Sequence, residues 1–168
     1  MKLKNSKGQI FTTDLIVALT ALLFILVISV SSFGLIQNSL NEEEFYSEMQ
    51  EKTLNASQAL VSTPGDPDSW ELMNDLNVNS IGIAKERNVL DEKKIDKLID
   101  LNQSSYSEIK EILGLGKYDF YFKVTEMNSA SEIKFFGVMP GPETKAVVIE
   151  RFVLLNGVER KLVLGVFG

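Results

Sequence analysis

Leu15 to Ile36 reads LIVALTALLFILVISVSSFGLI, 22 residues without a charge, and its interpretation decides how the whole chain is organised. At a rise of about 1.5 Å per residue a helix of this length reaches roughly 33 Å, enough to cross a hydrocarbon layer about 30 Å thick. The alternative, a buried core helix, requires a soluble domain that surrounds it on every side, and a chain of 168 residues leaves too little material for that. Flanking charge sets the direction. Lys2, Lys4 and Lys7 precede the segment, whereas Glu42, Glu43 and Glu44 follow it and the next basic residue is Lys52. The positive-inside bias then predicts a basic cytoplasmic leader over 1–14, a membrane helix over 15–36 and an extracytoplasmic domain over 37–168.

Thr12, Thr13 and Asp14 carry side-chain oxygens suited to the free N–H groups that open a helix. No proline intervenes before Pro64, and beyond the span Phe45, Met49, Ala56 and Leu60 recur at helical spacing. One helix is therefore expected from Asp14 to Leu60, apolar all round in its first half and amphipathic in its second. The run Ser62-Thr63-Pro64-Gly65-Asp66-Pro67-Asp68 breaks it. Trp70 is expected to anchor that turn to the core, and a short apolar piece, Ile81 to Ala84, follows. Two short amphipathic helices come next. Asp91 caps the first, which carries Ile95, Leu98 and Ile99. Ser105 and Glu108 give the second a capping-box spacing; it carries Tyr106, Ile109 and Leu113, and Gly114 and Gly116 stop it.

From Lys117 the period changes from helical to two. Tyr118, Phe120, Phe122 and Val124 alternate with Asp119, Tyr121, Lys123 and Thr125, the pattern of a strand with one face buried. Ile133 to Val138 predicts another strand before Pro140-Gly141-Pro142, and two apolar runs flank Asn156-Gly157, the signal for a tight hairpin. Leu162 to Phe167 is apolar enough for a central strand. The expected fold class is α+β: a long N-terminal helix packed through its second half on a small antiparallel sheet of about four strands, with two short helices between.

Composition narrows the chemistry. The chain has no cysteine and no histidine, so thiolate nucleophiles, the usual triads and the common zinc sites cannot be built from it, and a net charge of −6 is poorly suited to nucleic acid. No cofactor motif is present, and the remaining carboxylates, lysines and tyrosines form no enzymatic motif. Glu42, Glu43 and Glu44 are consecutive and so point in different directions on a helix, as a solvated collar would. Asp66, Asp68 and Asp75 lack the regular spacing of a calcium loop and read as turn chemistry. Asn55-Ala56-Ser57 and Asn102-Gln103-Ser104 match the acceptor pattern for N-linked glycans, with Asn102, between two helices, the better placed.

Lys7, Gly8, Gln9, Ile10 and Phe11, followed by the apolar span, resemble the class III signal peptide of archaeal type IV pilin-like proteins. The segment from Thr63 to Glu71, with Ile81 to Ala84 after it, is similar to segments of pilin-like membrane proteins as well. The resemblance implies a pilin-like fold and cleavage by a prepilin peptidase between Gly8 and Gln9, leaving the apolar helix in the mature chain. It also implies contact with other pilin-like subunits or pilus assembly proteins. The family's glutamate stands fifth after the cut, where this chain has Thr13, with the acidic Asp14 sixth. Asp14 is either a displaced subunit-contact carboxylate or a helix cap. The function implied is a membrane-anchored structural or interaction protein, a minor or accessory subunit of a pilus-like system. The alternative is an uncleaved single-pass ectodomain that binds a ligand or envelope partner.

Overall fold

The computed structural model describes residues 7–73, 77–101, 105–129 and 131–168. Its first element is a single helix, α1, Lys7–Ser62, of 56 residues. The chain divides into two compact units, one ending at Phe45 and one running from Tyr46 to Gly168. In the first, every side chain from Asp14 to Gly34 is exposed, the arrangement expected when the apolar surface is matched to lipid and not to a protein core. Its hydroxyls are folded back onto the helix. Thr20 Oγ1 donates to the carbonyls of Ile16 and Val17, each at 2.9 Å, and Ser29 Oγ donates to that of Ile25 at 2.8 Å. This satisfies polar groups that hydrocarbon could not.

In the second unit α1 continues to Ser62, two residues past the expected Leu60, and a turn-rich segment follows. It contains strand β1 (Gly65–Asp66), a 3-10 turn at Trp70–Leu72 and strand β2 (Ser80–Ile81), which pairs with β1. Next come β3 (Ala84–Glu86), β4 (Val89–Leu90), α2 (Glu92–Asp100) and α3 (Tyr106–Ile112). The chain closes with β5 (Asp119–Glu126), β6 (Glu132–Gly137), β7 (Ala146–Leu155) and β8 (Val158–Phe167). Thus the α+β class holds, but the main sheet is neither four-stranded nor purely antiparallel. It is a curled, mixed, six-stranded sheet in the order β3-β4-β7-β8-β5-β6, in which β4 runs parallel to β7. The expectation missed β3 and β4, strands of three and two residues that are too short to show a period.

The hairpin at Asn156-Gly157 forms as expected. Both residues take positive φ, 54° and 76°, which is the turn whose twist matches a two-residue connection. β8 is central, lying between β7 and β5. Its Leu162, Leu164 and Val166 join Phe120, Phe122 and Val124 of β5 on the inner face, where all six are essentially inaccessible.

Packed against that face are α2, α3 and the second part of α1. Met49, Ala56 and Leu60 are buried as the spacing predicts, and so are Thr53 and Ser57, which the spacing rule passes over because they are polar. Each returns its proton to the helix: Thr53 Oγ1 to Met49 O and Ser57 Oγ to Leu54 O. Small polar side chains in the stripe let the helix approach closely without leaving a donor unpaired. Phe45, counted with the stripe from its spacing, is only half-buried.

The end of α1 is held by backbone. Ile83 N–H donates to Leu60 O, Asn88 N–H to Val61 O and Ala84 N–H to Thr63 O, so carbonyls left over at the helix terminus are satisfied by the backbone of residues 83–88, in and around β3. That approach requires a glycine at 82, because a Cβ there would lie 2.0 Å from Thr63 O. Trp70 anchors the turn as expected: it is 1% exposed, and its Nε1 donates to Gly82 O at 2.9 Å and Pro64 O at 3.1 Å. Asp91 caps α2 through Lys93 N–H at 2.9 Å. Ser105 does not cap α3 with its side chain, so the capping box expected with Glu108 is not formed.

Candidate functional site

The residues singled out from sequence do not converge. Gly8 and Gln9 lie within the first turns of α1, Asp14 is exposed at the start of the apolar stretch, and Asn55 is exposed on the later part of the same helix. Asn102 and Asp75 lie outside the described residues. Ser57, the hydroxyl of the Asn55 acceptor pattern, is buried and also accepts from the Arg151 guanidinium at 3.1 and 3.3 Å. Asp66 accepts from Asn79 Nδ2 at 2.8 Å, and Asp68 faces Lys94 at 3.7 Å, so the acidic turn is tied internally.

The membrane candidate is Asp14–Gly34, 21 residues of mean hydropathy 2.7, the one stretch among the described residues long and apolar enough to cross a bilayer. Three ion-pair and hydroxyl clusters hold the second unit and were not foreseen. Lys94, buried on α2, donates to Pro64 O and Asp68 O, both at 2.7 Å, and stands 4.0 Å from Glu71, so one ammonium gathers the whole turn. On the far side of the core Tyr106 Oη accepts from Phe120 N–H at 2.8 Å and donates to Phe120 O at 3.1 Å, completing the ladder at the start of β5. Burial pushes this phenol up to about 12.

The third cluster joins α1 to the approach to β5. Glu48 Oε2 accepts from Lys117 Nζ at 2.8 Å and from Tyr118 Oη at 2.7 Å. The two donors hold the Glu48 carboxyl below its usual range, and the same contact raises Lys117; the Tyr118 phenol is raised chiefly by burial. Lys94 also borders an open cleft of about 260 Å³, shared with Asp68, Ser69, Glu71, Lys85 and Asp91. All three clusters tie separate elements of the second unit together.

The outer face of the main sheet is different. There Tyr121, Lys123 and Thr125 of β5, Lys161 and Val163 of β8 and Val148 and Glu150 of β7 line an open trough of about 460 Å³, with Met127 to Ser129 on its rim. Met127 also borders an adjoining cavity of about 430 Å³ lined by Arg87, Phe152, Leu154, Glu159 and Arg160. The curl of the sheet buries Tyr121 and Thr125, which simple alternation assigns to solvent. Gly165 makes room for this, since a Cβ there would meet the Tyr121 ring at 2.3 Å. Along β7, by contrast, Val148 is 50% and Phe152 69% exposed. Large apolar groups facing water from a strand mark a surface for contact.

The class that the structure supports is an α+β unit that follows a long N-terminal apolar helix. Comparison with family models, curated proteins and solved structures returns no match.

Proposed function

We propose that this chain is a pilin-like, membrane-anchored structural or interaction protein, a minor or accessory subunit of a type IV pilus-like system. The observation that carries the reading is the division of labour along α1. The helix is unbroken from Lys7 to Ser62, apolar and exposed between Asp14 and Gly34, then buried along one face from Met49 to Val61. A helix that serves both as anchor and as a core element is the plan of a pilin-like subunit. In this reading Gly8 and Gln9 flank the cut made by a prepilin peptidase, and Asp14 supplies the carboxylate that meets a neighbouring subunit.

The test is the N-terminus of the protein recovered from its native membranes, read by mass spectrometry of the intact chain. A mature start at Gln9 is expected. A start at Met1 overturns the prepilin reading and leaves a permanently anchored ectodomain.

A further inference from the structure

The second unit has two ends, and the chain enters it at one of them. Ala146, Phe167 and Asp119 form the last paired row of β7, β8 and β5 at that end. Tyr46 and Glu48 belong there too: Lys145 stands 5.4 Å over the Tyr46 ring, and Glu48 holds Lys117 and Tyr118 just before β5. The Asn156-Gly157 hairpin lies at the opposite end, where Asn88 joins Val61 of α1 to Leu154 of β7.

The loop between β6 and β7, residues 138–145, is at the entry end. It leaves the sheet where Val138 N–H donates to Phe120 O at 3.0 Å and returns where Lys145 O accepts from Gly168 N–H at 3.3 Å. Its tip, Val138, Met139, Pro140, Gly141 and Pro142, carries no polar side chain. Val138 is 48% and Met139 58% exposed, and Gly141 and Pro142 are exposed beside them. A single exposed apolar residue such as Leu72 is ordinary, whereas a run of them at a loop tip marks a contact. Charge at this end is balanced, Lys52 and Lys117 against Glu48 and Lys110 against Asp119, so what the tip offers is apolar contact.

We infer that this tip docks on the lipid surface of the membrane that the apolar stretch of α1 spans, with Val138 and Met139 among the headgroups. The chain itself brings that surface near. From Gly34 to Tyr46 α1 rises about 18 Å, of which the headgroup layer takes about 6 Å, leaving about 12 Å to bridge. A loop over residues 138–145 that runs out and back reaches about 13 Å at roughly 3.3 Å per residue, so the two lengths match. Because the contact is apolar it needs no anionic lipid, and copies anchored one way in one membrane can all make it. The inference rests on the membrane anchor of the reading above and not on its pilin-like part.

Absence of native cysteine lets a single fluorophore be placed on the whole chain, reconstituted in phosphatidylcholine vesicles whose lipids carry a headgroup nitroxide in both leaflets. Val138→Cys and Val158→Cys are a matched pair, each 48% exposed and at opposite ends of the sheet. Quenching of the label at 138 is expected to exceed that at 158 about threefold. Adding Met139→Asp to Val138→Cys is expected to bring the quenching down to the level at 158, with the circular dichroism spectrum unchanged. Equal quenching at 138 and 158 overturns the inference, as does quenching at 138 that survives Met139→Asp, which would mark a tip that is only nearby. Flotation of the vesicles separates this from the anchor. A chain that floats with them and shows equal quenching loses the docking alone, and a chain that stays behind loses anchor and docking together. Should a label at 138 disturb the native spectrum, Glu143→Cys, exposed beside the tip, takes its place in the comparison.

Discussion

Asp14–Gly34 and Tyr46–Ser62 belong to one helix and solve opposite problems. The earlier stretch places leucine, isoleucine, valine and phenylalanine outward in every direction and turns Thr20 and Ser29 back onto its own carbonyls. The later stretch buries Met49, Thr53, Ala56, Ser57, Leu60 and Val61 along one face and exposes Glu51 and Asn55 on the other. The more apolar stretch is the exposed one. Hydropathy therefore identifies the medium a helix meets, while burial by protein follows from which face has a neighbour and how closely that neighbour can come.

The sharpest test of that contrast is a pair of truncations. Leu60→Ala removes a fully buried side chain from the stripe and is expected to cost about 2–5 kcal/mol in chemical unfolding of the second unit, followed by near-ultraviolet circular dichroism in detergent. Leu26→Ala, in the exposed stretch, is expected to leave the same transition within about 0.5 kcal/mol. A comparable loss from both would show that the two stretches share one core.

A charge probes the other medium. Leu23→Lys puts an ammonium near the middle of the apolar stretch, at an expected insertion cost of about 2.5–3.5 kcal/mol, and should shift the chain out of the membrane fraction on carbonate extraction. Retention at the level of the unaltered chain would break the membrane side of the comparison. The smallest effect concerns Glu48, where α1 meets the approach to β5. Its carboxyl is held below its unfolded range by Lys117 and Tyr118, so it stabilises the fold above the unfolded value and loses that contribution as pH falls through the folded one. Glu48→Gln should flatten the acid limb of the thermal midpoint below about pH 4.5, with little change in the slope near neutrality.

What was legible in the sequence is what repeats over many residues. The uncharged span, the alternation at Phe120 to Val124 and the hairpin at Asn156-Gly157 each carry a long or chemically specific pattern, and each is present. β3 and β4 were missed because their pairing is set by the distant backbone of α1 and β7, not by their own composition. Thr53 and Ser57 were missed because a polar residue that bonds its own helix behaves as a small apolar one, and Tyr121 because its cover comes from the vacancy at Gly165, forty-odd residues away. Ser105 shows the converse: correct spacing for a cap without the bond.

Contacts between α1 and the β7 side of the sheet fix one further point. Lys145 lies over the Tyr46 ring, Arg151 reaches Ser57, and Val61 accepts from Asn88, whose own carbonyl takes Leu154 N–H; the helix from Tyr46 to Ser62 thus advances in the same sense as β7.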